Sequence, residues 1–220
     1  SDADRASLAT AIQSNLDQLV GIANSDDGNG QFLFAGYKSA SPPFAAQAGG
    51  GVQYIGDQGQ RLMQVDVARQ LSTSDDGRSV FQSVQGGAGY VTSGAAANAG
   101  TAVFGAVSVV DATAANYGKD FTISFAAGNY TVSTNDTPPV VAASGAFTAG
   151  SPIAFGGLQI SMTGTPADGD TFNVTTAKNA GTDVFATIGE LVTALRTPLT
   201  GGGAVAQAKL QNALSTANVK

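Results

Sequence analysis

Clusters of acidic side chains are the groups in this sequence best suited to chemistry. Asp26-Asp27-Gly28-Asn29-Gly30 combines carboxylates, an amide and backbone carbonyls, which are the oxygen ligands that a hard cation such as Ca²⁺ prefers. The cluster lacks the ligand spacing of a calcium-binding EF-hand loop and the glutamate at the end of such a loop. We therefore predict a tight turn at this position and no metal site.

Two aspartate pairs, Asp168 with Asp170 and Asp75 with Asp76, could in principle share acid and base roles. Such a division of roles requires burial or neighbouring charge that separates the two pKa values. Both pairs lie beside glycine in predicted turns, where solvent keeps a carboxylate ionised, so we predict turn roles for them. A carboxylate-dependent hydrolase is the alternative, and full solvation of Asp168 and Asp170 would count against it.

The chain of 220 residues contains neither histidine nor cysteine. This absence excludes histidine-dependent triads, HExxH zinc sites, thiol nucleophiles and disulfide bonds. The glycine-rich run Gly86-Gly87-Ala88-Gly89 lacks the lysine and the spacing of a phosphate-binding loop. We predict that the protein is not an enzyme and binds no cofactor.

The composition also limits the possible partners. The chain has 10 Lys and Arg against 16 Asp and Glu, a net charge of −6, whereas nucleic-acid binding depends on clustered cations. No apolar run approaches the roughly 20 residues that cross a bilayer, so we expect neither nucleic acid nor membrane as a partner. The first residues lack the basic and then apolar order of a cleavable signal, so any export uses another route or a signal absent from this sequence.

Helices are predicted at both ends of the chain, where apolar residues recur every three or four positions. Proline at 198 and glycines at 201 to 203 separate the last two helices. The three apolar stripes are Leu8, Ile12, Leu16, Leu19 and Ala23; Val184, Ile188, Leu191 and Leu195; and Ala206, Leu210, Ala213 and Ala217. Because each stripe needs an apolar partner, we predict that the two ends form one antiparallel bundle.

Strands are predicted across the middle of the chain, where apolar residues alternate with polar ones. Phe32 and Phe34, together with alternating residues up to position 67, predict a β-hairpin or small sheet that lies on the bundle, at about 31–71. We expect Phe32, Phe34, Tyr37 and Tyr54 in the core between sheet and helices, with stacking on a sugar or base as the alternative.

A second region of alternation, 95–178, is rich in threonine, serine and glycine turns and contains few charges. We predict an α+β fold in two parts. Residues 1–94 and 179–220 form an elongated, antiparallel helical bundle with its hairpin, and residues 95–178 form an inserted all-β domain.

Three stretches of the sequence resemble a known family. They are LVGIANSDDGNGQFLFAGYKSASPPF (19–44), VQYIGDQGQRLMQVDVARQLSTSDDGRSVF (52–81), and DGDTFNV followed by TDVFATIGELVTALRTPL (168–199). They are similar to the flagellin-like hook-associated proteins, which lie at the junction between the hook and the filament of the bacterial flagellum. The order FLFAGY, PPF, then Y.GD.GQR is the most specific part, and the resemblance covers about half of the chain.

The resemblance implies a structural subunit that is needed for filament attachment and motility. It implies an extracellular, secreted protein, exported unfolded through the flagellar type III apparatus after binding an export chaperone. Its implied neighbours are hook-associated protein 1 and flagellin, with self-association in the assembled junction. Family members carry further terminal segments that pair on assembly; we expect this chain to lack both and therefore to be monomeric alone. The alternative function is a surface-exposed adhesin or carbohydrate-binding module.

Overall fold

The computed structural model describes residues 1–47, 51–60, 62–67, 69–72, 74–83, 89–181, 183–199 and 203–220. Gly86, Gly87 and Ala88 of the glycine-rich run lie outside the described residues. The chain divides into two compact units. The helical unit comprises residues 3–84 and 181–193, and the β unit comprises residues 1–2, 85–180 and 194–220. The predicted insert, 95–178, lies inside the β unit, which also takes in the last helix.

Helix α1 (Asp2–Ala23) matches the first predicted helix. It buries Ala9, Leu16 and Ala23 at intervals of seven residues, which places all three on one stripe. Leu8, which we predicted to lie in the apolar stripe, is 52% exposed, and Ala9 occupies the buried face in its place. None of the described helices has the combination of length and apolarity that a membrane crossing requires.

Two small antiparallel hairpins occupy the region where one was predicted. Strand β1 (Phe44–Ala46) pairs with β2 (Val52–Tyr54), and β3 (Leu62–Asp66) pairs with β4 (Arg69–Ser72). The strand predicted at Phe32 and Phe34 is absent from the described residues, and Phe32 forms only an isolated bridge with Asp26. The difference arises because the turn folds this segment back: the Phe32 N–H donates to Ser39 and the Leu33 N–H donates to Ser25.

The second hairpin is exposed on both faces. Every described residue of β3 and β4 is exposed, including Leu62, Met63, Val65 and Leu71. We predicted that this hairpin lies on the helices, but alternation only determines which side chains share a face and not whether that face is covered. A two-stranded hairpin without cover contributes little to stability.

Aspartates begin the remaining helical segments of the helical unit. The Asp183 carboxylate accepts a hydrogen bond of 3.0 Å from the Ala186 N–H and so caps α2 (Val184–Arg196). The Asp76 carboxylate accepts a hydrogen bond of 3.0 Å from the Ser79 N–H at the start of a short π-helical segment, Arg78–Gln82. Asp76 therefore binds within the turn predicted at this position.

Two antiparallel sheets make up most of the β unit. The strands of the first sheet are β5 (Tyr90–Gly94), β8 (Phe121–Ala126), β9 (Asn129–Thr134), β10 (Val141–Ala146) and β13 (Thr171–Thr176). Those of the second are β6 (Val103–Phe104), β7 (Ser108–Val109), β11 (Pro152–Phe155) and β12 (Leu158–Thr163). The first sheet has the order β10-β9-β8-β13-β5; in the second, β12 pairs with β11, β6 and β7.

Alternate residues of both sheets meet in one hydrophobic core. Its fully covered members include Phe121, Ile123, Val132, Leu158, Ile160, Met162, Phe172 and Val174. The alternation predicted for these strands is thus confirmed. The hairpin between β8 and β9 turns through Ala127 and Gly128, both with positive φ, as a two-residue hairpin loop of matching twist requires.

Helix α3 (Gly203–Val219) packs on β5 and β6 of the β unit. It buries Ala208, Asn212 and Thr216, whereas the predicted stripe from Ala206 to Ala217 is only half-buried. The Asn212 amide accepts a hydrogen bond of 3.1 Å from the Phe104 N–H and donates one of 2.9 Å to the Ala102 carbonyl. Periodicity of apolar residues did not reveal this face because the residues at its centre are polar.

Candidate functional site

Five aromatic rings from distant parts of the chain meet in the helical unit. Phe44 lies at their centre, with its ring centroid 5.1 Å from Tyr54, 5.5 Å from Phe81 and 5.1 Å from Phe185. Phe34 meets Phe81 edge to face at 5.2 Å. We call these five residues the aromatic cluster. Edge-to-face and tilted pairs at such distances add stability beyond the area that they bury.

Helices α1 and α2 both contribute to the core around the aromatic cluster. Leu16 is buried in it, and Leu19 and Ile188 pack against it. The structure therefore brings together three of the predicted packing residues of the two helices. The other predicted packing residues are more dispersed. Four of them are half-buried: Ile12, Phe32, Val184 and Leu191. Leu195 is buried but belongs to the residues of the β unit, and Tyr37 is 68% exposed.

The segment after the α1 turn is fastened to the loop after β2 through Asp57. One carboxylate oxygen of Asp57 accepts hydrogen bonds of 2.8 Å from the Tyr37 N–H and 2.8 Å from the Gly59 N–H. The Tyr37 hydroxyl donates to the Gln60 carbonyl at 2.9 Å. We call Gly36, Tyr37, Asp57, Gly59 and Gln60 the Asp57 clasp.

Close packing limits the residue types that the clasp accepts. Gly36 has a φ of +66°, and a Cβ at this position would overlap the Asp57 carboxylate. A Cβ at Gly59 would overlap the Tyr37 ring. The Tyr54 hydroxyl lies 2.6 Å from the Asp57 carbonyl and 3.0 Å from the Phe34 carbonyl, which joins the clasp to the aromatic cluster. The Gly36-Tyr37 pair and the segment 56–59 are therefore parts of one structural feature.

We predict that the clasp weakens in acid. Hydrogen bonds from the Tyr37 and Gly59 N–H groups hold the pKa of Asp57 below its ordinary value of 3.8. A depressed pKa in the folded state means that the contribution to stability is present above the unfolded value and is lost as the pH falls through the folded value. Amide hydrogen exchange at Tyr37 and Gly59, corrected for the intrinsic pH dependence, should accelerate below about pH 4.

Asp57→Asn is the matched control, because it keeps an acceptor oxygen but removes the titrating charge. In this variant the corrected exchange of the two amides should not change with pH in the acid range. The same acid response in both proteins would contradict the assignment of the effect to Asp57.

The acidic turn that follows α1 uses its carboxylates internally. Asp26 accepts a hydrogen bond of 2.7 Å from the Gly28 N–H, and Asp27 accepts bonds of 2.9 Å and 3.1 Å from the Asn29 and Gln31 N–H groups. This pattern is typical of aspartate turns and agrees with the predicted turn. Across the described residues, no three or more acidic side chains cluster as a metal site would need.

Asp168 and Asp170 have different environments, which corrects our expectation that solvent reaches both. Asp168 is exposed and accepts one hydrogen bond, 2.7 Å from the Ala127 N–H. Asp170 is only 2% exposed and accepts bonds from three backbone N–H groups, those of Ala99 (2.7 Å), Gly100 (3.0 Å) and Ala167 (2.9 Å). Asp170 thus holds residues 99 and 100 to the turn before β13, so its oxygens are not presented to a substrate.

One open pocket of about 360 Å³ lies in the helical unit beside β2 and the start of α2. Arg78, Gln82 and Asp183 are among its lining residues. The Asp183 carboxylate already caps α2 and accepts a hydrogen bond of 2.7 Å from the Gln82 amide. Among the described lining residues, the one carboxylate is therefore engaged in helix capping and in a bond to Gln82.

Comparison with known proteins gives two curated relatives of one kind, although no family model matches the chain. Flagellar hook-associated protein 3 of Escherichia coli K12 is 44% identical over 84 residues, which cover 38% of this chain and 26% of that protein. The protein of the same name from Salmonella typhimurium LT2 is 46% identical over 84 residues. The matched region spans about a quarter of these curated relatives.

Solved structures extend the similarity to almost the whole chain. FlgL of Xanthomonas campestris has a TM-score of 0.81 at 29% identity, covering 99% of this chain and 71% of that protein. The flagellar junction protein FlgL of Legionella pneumophila has a TM-score of 0.76 at 27% identity, covering 100% of this chain and 74% of that protein. Sequence and fold together confirm the resemblance predicted above and identify this chain as a relative of flagellar hook-associated protein 3.

Proposed function

We propose that this chain belongs to a structural subunit at the junction between the hook and the filament of the bacterial flagellum, needed for filament attachment and motility. The observation that carries the proposal is the fold match to FlgL over 99% of the chain. The described relative from Legionella pneumophila is itself named a flagellar junction protein. Several positions of the sequence signature support the proposal: Phe34, Phe44 and Tyr54 lie in the aromatic cluster, and Gly36, Tyr37, Asp57, Gly59 and Gln60 form the Asp57 clasp.

A structural role fits the way in which this chain uses its polar groups. The carboxylates of Asp57 and Asp170 each bind backbone N–H groups from two separate segments, which fastens loops together. In the proposed role the helices pack along the axis of the assembly in an antiparallel bundle, and the residues of the predicted insert, 95–178, face solvent. Rigid loops suit a subunit that has to keep its shape between two different neighbours.

We further propose the partners that such a role requires. The subunit contacts hook-associated protein 1 on one side and flagellin on the other, and it associates with its own copies in the junction. It reaches this extracellular position unfolded, through the flagellar type III apparatus, after release from an export chaperone. The absence of cysteine supports this route, because no disulfide has to form before or after export.

Deletion of the gene in its own bacterium tests the proposal. We expect cells with hooks but without attached filaments, with unassembled flagellin in the medium and no swimming. The full gene should restore filaments, and so should the gene carrying Leu33→Ala, because Leu33 is 46% exposed and outside the aromatic cluster. Deletion cells with normal filaments and normal swimming would refute the proposed function.

The adhesin alternative gives the opposite outcome in the same cells. An adhesin or carbohydrate-binding module predicts normal filaments after deletion and saturable binding of the full chain to a glycan array. Neither the curated relatives nor the solved structures described above have names that point to this function.

A further inference from the structure

We infer that Asn29 is a site of spontaneous deamidation, a covalent change that converts its side-chain amide to a carboxylate without an enzyme. Asn29 precedes Gly30 in the turn that follows α1, and the inference does not depend on the proposed function. The residues of this turn, 26–31, are all exposed.

The reaction begins when a backbone nitrogen attacks the amide carbon of the preceding asparagine, so access to both atoms decides where it occurs. Gly30 has no side chain to shield its nitrogen, and a Cβ at this position would meet nothing within 4 Å. Among the described residues, neither the Asn29 side-chain amide nor the Gly30 N–H has a hydrogen-bond partner. Both reacting groups are therefore accessible and uncommitted.

The chemistry needs only water. The Gly30 nitrogen forms a bond to Cγ of Asn29, the bond from Cγ to Nδ2 breaks, and ammonia leaves with the proton from the Gly30 amide. The product is a five-membered succinimide. Water then opens either of its two carbonyls, which leaves an aspartate or an isoaspartate at position 29.

The structure separates Asn29 from Asn24, which precedes a small residue, Ser25, only five positions earlier. The Asn24 amide donates to the Phe44 carbonyl and accepts from the Phe44 N–H, both at 2.9 Å, and the residue is half-buried. These bonds hold the Asn24 side chain away from the backbone nitrogen that would attack it. Folding should therefore protect Asn24 and leave Asn29 reactive.

Conversion changes the turn. An isoaspartate lengthens the backbone between positions 29 and 30, next to the two N–H groups that Asp27 holds. An aspartate instead adds a third carboxylate beside Asp26 and Asp27, which repel it at short range. The corner between α1 and the segment that leads to the Asp57 clasp would loosen with the age of the protein.

Incubation of the purified, folded chain in warm, mildly alkaline buffer tests the inference. Peptide mass spectrometry follows the loss of each amide, and methylation by a protein isoaspartate methyltransferase detects the isoaspartate. Asn29 should convert first and give both products. Asn24 should keep its amide until the chain is denatured, and its conversion should then begin.

Two glycine variants separate the chemistry from the shape of the turn. Gly30→Ala should slow the conversion of Asn29 by about an order of magnitude, because the methyl group shields the attacking nitrogen. Gly28→Ala strains the same turn, since Gly28 has a φ of +79°, but it leaves the Asn29-Gly30 pair intact and should convert like the parent. An intact Asn29 beside other converted asparagines, or equal rates in the parent and Gly30→Ala, would overturn the inference, as would equal slowing by both variants.

Discussion

Replacement of Phe185 by alanine should lower the free energy of unfolding of the helical unit by about 3–5 kcal/mol. The Phe185 side chain is completely buried, and its ring lies 5.1 Å from Phe44 and 5.6 Å from Phe81 between centroids. Alanine would remove both ring contacts and leave a cavity that the surrounding rings fill only in part. Urea denaturation monitored by amide hydrogen exchange, peptide by peptide, reports the loss separately for each unit.

Two further variants calibrate this result. Phe185→Leu keeps most of the volume and should cost about 1–2 kcal/mol. Leu33→Ala removes a side chain that is 46% exposed and should change the stability by about 0.5 kcal/mol or less. If Phe185→Ala proved no more harmful than Leu33→Ala, the aromatic cluster would not be the core of the helical unit.

Asp170→Ala should destabilise the β unit by about 3 kcal/mol, because it removes a buried carboxylate and leaves three backbone N–H groups without their acceptor. Those groups belong to Ala99, Gly100 and Ala167. The loss of stability should therefore appear as faster amide exchange both at residues 99 and 100 and in the turn that contains Ala167. Exchange in the helical unit should stay unchanged, which distinguishes a local effect from general unfolding.

Asp168→Ala is the matched control in the same turn. Asp168 is exposed and accepts a single hydrogen bond, so its removal should cost about 1 kcal/mol or less. Asp170→Asn should lie between the two alanine variants, because it keeps one oxygen but places an amide donor against the other N–H groups. Equal losses for Asp168→Ala and Asp170→Ala would contradict the structural role of Asp170.

The strands of the β unit were the part of the fold most accessible from the sequence. Phe121, Ile123 and Phe125 alternate with polar neighbours. A strand with one buried face can place all of these apolar side chains in the core in only one orientation. The adjacent glycines 156 and 157 likewise indicate a turn from sequence alone, and both adopt the positive φ that favours glycine. Both features depend on residues that are neighbours in the sequence.

The sequence was less informative wherever a distant segment decides the outcome. The apolar stripe of α1 could not show that Ala9 is buried and Leu8 is exposed, since the two residues lie on opposite edges of the stripe, about 100° apart around the helix. The burial of Asp170 depends on residues 99 and 100, about seventy positions away in the chain. The residues of the Asp57 clasp lie within the family signature, but their hydrogen bonds join two segments about twenty positions apart, and the sequence alone does not show that these segments meet.

The hydrogen bonds of α3 determine which position along the sheet the helix can adopt. The Asn212 amide accepts a hydrogen bond from the Phe104 N–H and donates one to the Ala102 carbonyl. The Thr216 hydroxyl donates to the Thr92 carbonyl at 2.8 Å. A slide by one residue would break all of these bonds at once, whereas an apolar face could slide at little cost. A leucine at position 212 would therefore relax the register of the helix even where it kept the helix attached.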